Sequence, residues 1–271
     1  MNIINKWMYI LLLLMLTLSL GAGSDNSFIP GEKLYYRAHW NNVTGGYAMV
    51  EVLSRKNTQG HEVYHFKMKA RTSKLIDLMY KVRNTIDTHW NASERHPLRV
   101  SKTLTEGYTR RFYKMNFDYS KNEITHWLKI YNGNGDIFGT KRKDARWYEQ
   151  RGAFKEVVPE TQDYLSALYY MRSDPRKPEP GGSFNLNIYD NLKFRKVNFK
   201  VLKKEELKTH VGNFSSVKIS TDFKTEGHLR SKGRILAWVS DDKYRYPLKA
   251  TALIPVFGKV QVDLVKIVKP K

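Results

Sequence analysis

Apolar and polar residues alternate with a period of two along most of the chain. Tyr64, Phe66 and Met68 are apolar, whereas the residues between them are polar. A strand with this pattern buries one face and exposes the other, as in an antiparallel sheet. Further stretches with this alternation are residues 111–117, 124–130 and 260–264. Clusters of Asn, Asp and Gly separate the stretches. The pattern predicts a mainly β protein, either a single curved antiparallel sheet or a partly open β-barrel.

One segment follows a helical spacing instead. Thr161 is a residue type that caps helices, and large residues recur after it at intervals of three and four. The residues on this helical face are Leu165, Leu168, Tyr169 and Arg172. Prolines and glycines in residues 175–182 end the helix. We predict one short packed helix at about 161–172. Because the strand patterns before and after 175–182 are alike, we predict a single β-rich domain over residues 23–271.

The first 22 residues have the composition of a secretory signal peptide. Lys6 precedes an apolar run over residues 7–20, and the small residues Gly21 and Ala22 follow it. The run is shorter than the roughly 17–25 apolar residues of a membrane span. We therefore predict that residues 1–22 are a cleaved signal peptide. The mature chain is then expected in the periplasm or outside the cell, with no segment that spans the membrane.

The chain is strongly basic and contains no cysteine. Its 47 Lys and Arg residues exceed its 26 Asp and Glu residues and give a formal charge of +21, which removal of residues 1–22 lowers only to +20. The lack of cysteine excludes a disulfide framework, a Cys-ligated metal and a thiol nucleophile. An exported protein does not meet nucleic acid. We expect an anionic lipid or an envelope glycan as its partner, unless the charge serves only to solvate the surface.

The basic residues recur closely in one strand-like segment. They are Lys193, Arg195, Lys196, Lys200, Lys203 and Lys204. A β-like spacing spreads them along the face or rim of a sheet, unlike the basic residues of a recognition helix. We predict that these six side chains edge a ligand-binding face. A second basic group, suited to comparison with the first, consists of Lys141, Arg142, Lys143 and Arg146.

Residues 61–65 match the H-E-x-x-H pattern of zinc metallopeptidases. That chemistry needs a helix, because only there do the two histidines reach one metal ion while the glutamate activates the bound water. Here the alternation favours a strand. In a strand His61 and His65 would lie about 13 Å apart, at roughly 3.3 Å per residue, which is too far for joint coordination. The spacing therefore argues against a metal site.

Three phrases in the sequence resemble those of an exported bacterial family, the domain of unknown function 3108. They are Pro30-Gly31-Glu32-Lys33-Leu34-Tyr35-Tyr36 with Trp40 and Gly46, Asp163-Tyr164-Leu165-Ser166-Ala167-Leu168-Tyr169-Tyr170-Met171-Arg172, and Trp238-Val239-Ser240-Asp241-Asp242 with Arg245, Pro247 and Leu248. Gly258 and Leu264 close the similar region, which runs from about residue 28 to residue 266. The resemblance implies a periplasmic or secreted β-rich domain, and it supplies no catalytic residue.

Together these observations favour a non-enzymatic envelope protein. We predict that it binds an anionic lipid or glycan through a concave apolar sheet face with a basic rim. We predict no cofactor and no metal. Two alternatives stay open. One is a zinc-dependent metallohydrolase using His61, Glu62 and His65, and the other is a structural partner in an envelope protein complex, which the same surface would suit.

Overall fold

The computed structural model describes residues 27–270, except residue 42 and the segments 59–60, 133–145, 175, 177–178, 225–231 and 255–257. The predicted signal peptide and the basic residues Lys141, Arg142 and Lys143 lie outside the described residues. The strands are β1 (Lys33–Trp40), β2 (Val43–Thr58), β3 (His61–Thr72), β4 (Val82–Asn91), β5 (His96–Glu106), β6 (Thr109–Asp118), β7 (Glu123–Asn132), β8 (Arg146–Lys155), β9 (Ser183–Asp190), β10 (Lys193–Thr209), β11 (Gly212–Lys224), β12 (Lys232–Ser240), β13 (Pro247–Ile254) and β14 (Gly258–Val268). The helices are α1 (Lys74–Asp77) and α2 (Tyr164–Arg172).

All fourteen strands belong to one antiparallel sheet, which is not closed into a barrel. The order across the sheet is β8-β7-β6-β5-β4-β3-β2-β1-β14-β13-β12-β11-β10-β9. Each strand pairs with its neighbours in sequence, except that β8 and β9, which α2 separates, do not pair. In addition, β1 pairs with β14. Strands make up 70% of the described residues, so the predicted mainly β architecture is confirmed.

The alternating pattern places the core on one face of the sheet. Leu34 and Tyr36 of β1 and Phe66 and Met68 of β3 are buried, and the residues between them are more exposed. Helix α2 is buried over its whole length and contacts β3, β4, β5 and β9. The sheet therefore curls around α2, and its inner face carries the hydrophobic core.

The helix lies close to its predicted position but begins slightly later. Asp163 is its N-cap and accepts hydrogen bonds from the backbone N–H groups of Leu165 at 2.8 Å and Ser166 at 3.4 Å. The Ser166 hydroxyl in turn accepts a hydrogen bond from the Asp163 backbone N–H at 3.0 Å, which completes a capping box. Thr161 bonds to the carbonyl oxygen of Val158 at 2.7 Å instead. The expected capping role of Thr161 therefore belongs to Asp163.

The two edges of the sheet overlap instead of pairing. The ring of Phe154 on the inner face of β8 lies 5.1 Å from that of Tyr189 in β9 and 5.6 Å from that of Phe194 in β10. Tyr189 alternates with the inward-facing Ile188, so it points to the outer side of β9. The Tyr189 hydroxyl also lies 3.4 Å from His126 Nδ1 of β7. Side-chain contacts thus hold β7 and β8 over the outer side of β9.

Candidate functional site

Strand β10 carries all six basic residues predicted for a ligand site, but it distributes them over both faces. Phe199 and Val201 point into the core, whereas Lys196 and Lys200 are exposed on the outer face. Arg195 lies opposite the inward-facing Ile188 of β9 and donates a hydrogen bond to the Asp190 carbonyl oxygen at 3.3 Å. The strand thus separates Arg195 from Lys196 and Lys200.

A bulge between Val201 and Lys203 changes the register of β10 against β11. Beyond it, Lys203 Nζ lies 2.6 Å from the Glu205 carboxylate, and Lys204 Nζ lies 3.2 Å from that of Asp241. The hydrogen bond to Asp241 raises the pKa of Lys204. The charges of these two lysines are therefore balanced within the protein. Lys193, the sixth residue, is exposed at the start of the strand.

The outer face also contains tryptophans covered by lysines. Trp238 in β12 lies between Lys218 Nζ, 4.7 Å from its ring centroid, and Lys249 Nζ at 5.4 Å. Its indole N–H donates to a Glu205 carboxylate oxygen at 2.7 Å. Trp147 in β8 contacts Lys129 Nζ at 4.6 Å in the same way. Cation–π contacts of this kind stabilise the basic face without neutralising its charge.

The inner face is packed, which corrects the prediction of a ligand site on a concave apolar face. Ala167, Leu168 and Tyr169 of α2 are at most 2% exposed and share one core cluster with the inward residues of the sheet. The ring of Tyr169 stacks on Phe66 of β3 with centroids 3.6 Å apart. The helix that was predicted to pack against the sheet therefore fills the apolar face that the strand pattern predicted. The exposed Lys196 and Lys200 lie on the outer face instead.

The three phrases quoted above meet at a buried ion pair below the C-terminal end of α2. Arg172 Nη1 and Nη2 donate to the two carboxylate oxygens of Glu32, at 2.6 and 3.0 Å. Arg172 also donates to the carbonyl oxygens of Ser27 at 2.7 Å and Tyr244 at 3.0 Å. Burial alone would lower the pKa of Arg172, but the carboxylate of Glu32 outweighs burial and raises it. Arg172 therefore joins the N-terminal segment, the helix and the loop after β12.

Arg245 closes the C-terminal end of the same helix. Its guanidinium donates to the carbonyl oxygens of Asp174 and, at 3.3 Å, of Met171. The Met171 carbonyl belongs to the last turn of the helix, where carbonyl groups lack an N–H partner four residues further on. Burial lowers the pKa of Arg245 to about 10. Asp242 shapes the loop that presents Arg245, because its carboxylate accepts hydrogen bonds from the backbone N–H groups of Tyr244 and Arg245, both at 2.9 Å. The third phrase thus has a structural role.

Gly46 of the first phrase allows two strands to approach closely. A Cβ atom at this position of β2 would lie 2.5 Å from the carbonyl oxygen of Arg71 in β3. No side chain fits there without a shift of the backbone. Gly46 is therefore required by packing.

The zinc-peptidase pattern lies in strand β3, and its residues have separate partners. His65 Nε2 lies 2.9 Å from an Asp87 carboxylate oxygen, and its ring stacks on His89 with centroids 4.4 Å apart. Glu62 pairs with Arg55, and His61 is exposed. Within the described residues, no group of three or more His, Asp and Glu side chains could hold a metal ion. The geometry of this segment does not support the hydrolase alternative.

The stacked pair of His65 and His89 should make the free energy of unfolding depend on pH. Burial lowers the pKa of His89, and the neighbouring His65 and Arg99 lower it further. The unfolded chain then takes up the proton near pH 6.5 while the folded chain does not, so stability should fall as the pH drops from about 7.5 to 5.5. Substitution His89→Gln should reduce that slope in urea unfolding, whereas His210→Gln, at an exposed turn, should not. Equal slopes for wild type and His89→Gln would contradict the interpretation.

The described architecture defines a class of protein: an antiparallel sheet curled, but not closed, around one helix capped at both ends. The chain belongs to the family described as protein of unknown function (DUF3108), whose family model matches residues 35–265. The resemblance seen in the sequence is thereby confirmed. No curated protein is significantly similar to the chain in sequence.

Three solved structures are similar to the chain at very low sequence identity. A β-barrel-like protein of domain of unknown function DUF1849 from Brucella abortus has a TM-score of 0.50 and 7% identity, over 87% of this chain and 96% of that one. A protein from Bacteroides fragilis described as exported, with a YmcC-like fold, has a TM-score of 0.41 and 7% identity, over 93% of this chain and 100% of that one. A protein from Parabacteroides distasonis described as a lipoprotein has a TM-score of 0.34 and 8% identity, over 93% of this chain and 99% of that one. The likeness to the Brucella protein shows a shared fold.

Proposed function

We propose that the chain is a non-enzymatic envelope protein that binds an anionic lipid or glycan through the outer face of β10. One observation carries the proposal. Lys196 and Lys200 are exposed on this face, and no carboxylate of the described residues lies within ion-pair distance of either lysine. Asn198, between them on the same face, is exposed too. The ligand chemistry that fits two uncompensated ammonium groups beside an amide is a phosphate or a carboxylate.

The rest of the protein supports an extracytoplasmic location for this surface. The predicted signal peptide would deliver the chain across the membrane, and the predicted mature charge of +20 favours association with anionic surfaces. Among the described residues, no helix has the length and apolar character needed to cross a bilayer. The alternative of a structural partner in an envelope complex would use the same surface to contact a protein.

The two halves of the basic segment provide a matched test. Lys196→Gln with Lys200→Gln and Lys203→Gln with Lys204→Gln remove the same charge from the same strand, but only the second pair has carboxylate partners. Each basic residue near an anionic membrane contributes on the order of 1 kcal/mol, so the first double variant should bind about thirtyfold more weakly. The second should bind nearly as well as wild type. Co-sedimentation with vesicles containing phosphatidylglycerol measures the difference.

Additional arms of the experiment separate the possible ligands. Purified lipopolysaccharide and teichoic acid test an anionic glycan, and vesicles of phosphatidylcholine alone test whether charge matters. Binding should weaken as salt rises, because exposed charges are screened over roughly 8–10 Å at physiological salt. Circular dichroism should show unchanged folding, since exposed substitutions alter stability by only about 0.5 kcal/mol. Equal losses in both double variants would indicate a merely solvated basic face, and equal binding to neutral and anionic vesicles would favour the protein-partner alternative.

A further inference from the structure

Strand β8 ends the sheet, and no described strand pairs with its free edge. Its side chains from Trp147 to Ala153 are all exposed. Trp147 on the outer face is 50% exposed and Tyr148 on the inner face is 55% exposed. An edge strand with unpaired backbone groups and large exposed aromatic side chains is a template for another strand. The structure therefore presents a pairing surface at β8.

The residues of β8 are chemically complementary to those of a second, antiparallel copy of β8. With Gln150 at the centre, Glu149 faces Arg151 of a second copy and Arg151 faces its Glu149. Trp147 then faces the small Ala153, and Tyr148 faces Gly152. Directly opposed residues of antiparallel strands share a face, so these contacts form on the correct sides.

Neighbouring registers lack this complementarity. A two-fold axis normal to the sheet keeps outer face beside outer face, so residues that face each other must have numbers of the same parity. The axis therefore lies between the two copies of one residue. Centring on Glu149 opposes two glutamates, and centring on Arg151 opposes two arginines. Like charges directly opposite each other are destabilising. Among these three registers, only the one centred on Gln150 avoids opposed like charges.

A neighbouring histidine is also arranged to receive the second copy. His126 of β7 lies opposite Gly152, and its Nε2 atom is 2.8 Å from where a Cβ atom of Gly152 would be. This nitrogen is buried and has no hydrogen-bond partner among the described residues. In the register centred on Gln150, Tyr148 of the second copy lies across Gly152, which brings its hydroxyl toward His126.

We propose that the protein forms a two-fold symmetric dimer in which two β8 strands pair antiparallel around Gln150. The partner is a second copy of this chain, and the sheet becomes continuous across both copies. Glu149 and Arg151 form reciprocal ion pairs between the copies, in addition to their own contact of 3.0 Å within one chain. This association is independent of lipid or glycan binding by β10.

Charge reversal provides the test, with sedimentation velocity of the exported chain as the measurement. The wild-type protein should sediment as a dimer. Glu149→Arg opposes arginines at both reciprocal positions and Arg151→Glu opposes glutamates, so each variant alone should dimerise about tenfold more weakly or worse. An equimolar mixture of the two variants restores opposite charges at both positions and should form a heterodimer. Lys121→Glu, the same charge change at the turn between β6 and β7, should dimerise like wild type.

The equimolar mixture of Glu149→Arg and Arg151→Glu distinguishes lost pairing from lost folding if one substitution weakens folding. Glu149 also accepts a hydrogen bond from the Trp127 indole N–H at 2.7 Å, so circular dichroism of each variant should accompany the measurement. Recovery of dimer on mixing supports the proposal, because a misfolded variant would not be rescued by its partner. A wild-type protein that is monomeric at micromolar concentrations overturns it. Folded variants that dimerise as well alone as they do when mixed also overturn it.

Discussion

Substitution Arg172→Met should lower the free energy of unfolding by about 3–5 kcal/mol, because it leaves the Glu32 carboxylate buried without its cation. Arg172 is fully buried, and Glu32 is 2% exposed. The same substitution removes the hydrogen bonds to the carbonyl oxygens of Ser27 and Tyr244. Urea unfolding followed by tryptophan fluorescence measures the loss. The double variant Arg172→Met with Glu32→Leu should recover a substantial part of it, because no buried charge is then left unpaired.

A neighbouring ion pair is the control for this prediction. Lys33 follows Glu32 in sequence and pairs with Glu51 at 2.7 Å, but its side chain is 37% exposed. Lys33→Met should change the unfolding midpoint little, since exposed ion pairs contribute little to stability. An Arg172→Met variant as stable as Lys33→Met would show that the buried pair does not hold the helix in place.

Substitution Asp190→Leu should have a comparable effect at a second buried ion pair. The ammonium group of Lys102 in β5 pairs with Asp190 of β9, and both side chains are at most 2% exposed. Removal of the carboxylate leaves a buried cation and should cost about 3–5 kcal/mol in unfolding free energy near neutral pH. Lys102→Met combined with Asp190→Leu should be much more stable than Asp190→Leu alone.

The Asp190→Leu variant should also regain stability as the pH rises. In the intact protein burial lowers the pKa of Lys102 to about 8, although the Asp163 carboxylate opposes that shift, and loss of the Asp190 carboxylate lowers it further. The unfolded chain keeps its lysine proton up to a pKa of about 10.4, so it binds more protons than the folded chain between these values. The unfolding free energy of Asp190→Leu should therefore be closer to that of the double variant at pH 10 than at pH 7.5. A deficit that is constant over this range would contradict the explanation.

The sequence predicted the local elements of the fold well, because alternation and helical spacing are local signals. It placed the helix to within a few residues and identified β3 as a strand despite the zinc-peptidase pattern. The Glu32 partner of Arg172 is 140 residues away, and only the assembled sheet brings the two together. Arg172 was therefore predicted to lie on a packed helix face, with no indication that it was part of a buried ion pair.

The candidate site was likewise predicted only in part from the sequence. The β-like spacing of the basic segment predicted residues on a sheet face or rim, but not the bulge after Val201 that changes the register. Glu205 lies two residues from Lys203, so that pairing was accessible to sequence reasoning once the strand was assumed. Asp241 reaches Lys204 only through the neighbouring strands. The helical spacing predicted that α2 packs against the sheet, but not that the helix fills the face assigned to the ligand.

The pairing of β1 with β14 sets the order in which the fold can be completed. Every other strand pairing joins neighbours in sequence, so hairpins can form as soon as each pair of strands is available. The pairing of the first strand with the last closes the longest loop in the chain and carries its largest entropic cost. A chain of this topology can build two separate meanders as its strands become available. It can join them into one sheet only after its C-terminal strand has arrived.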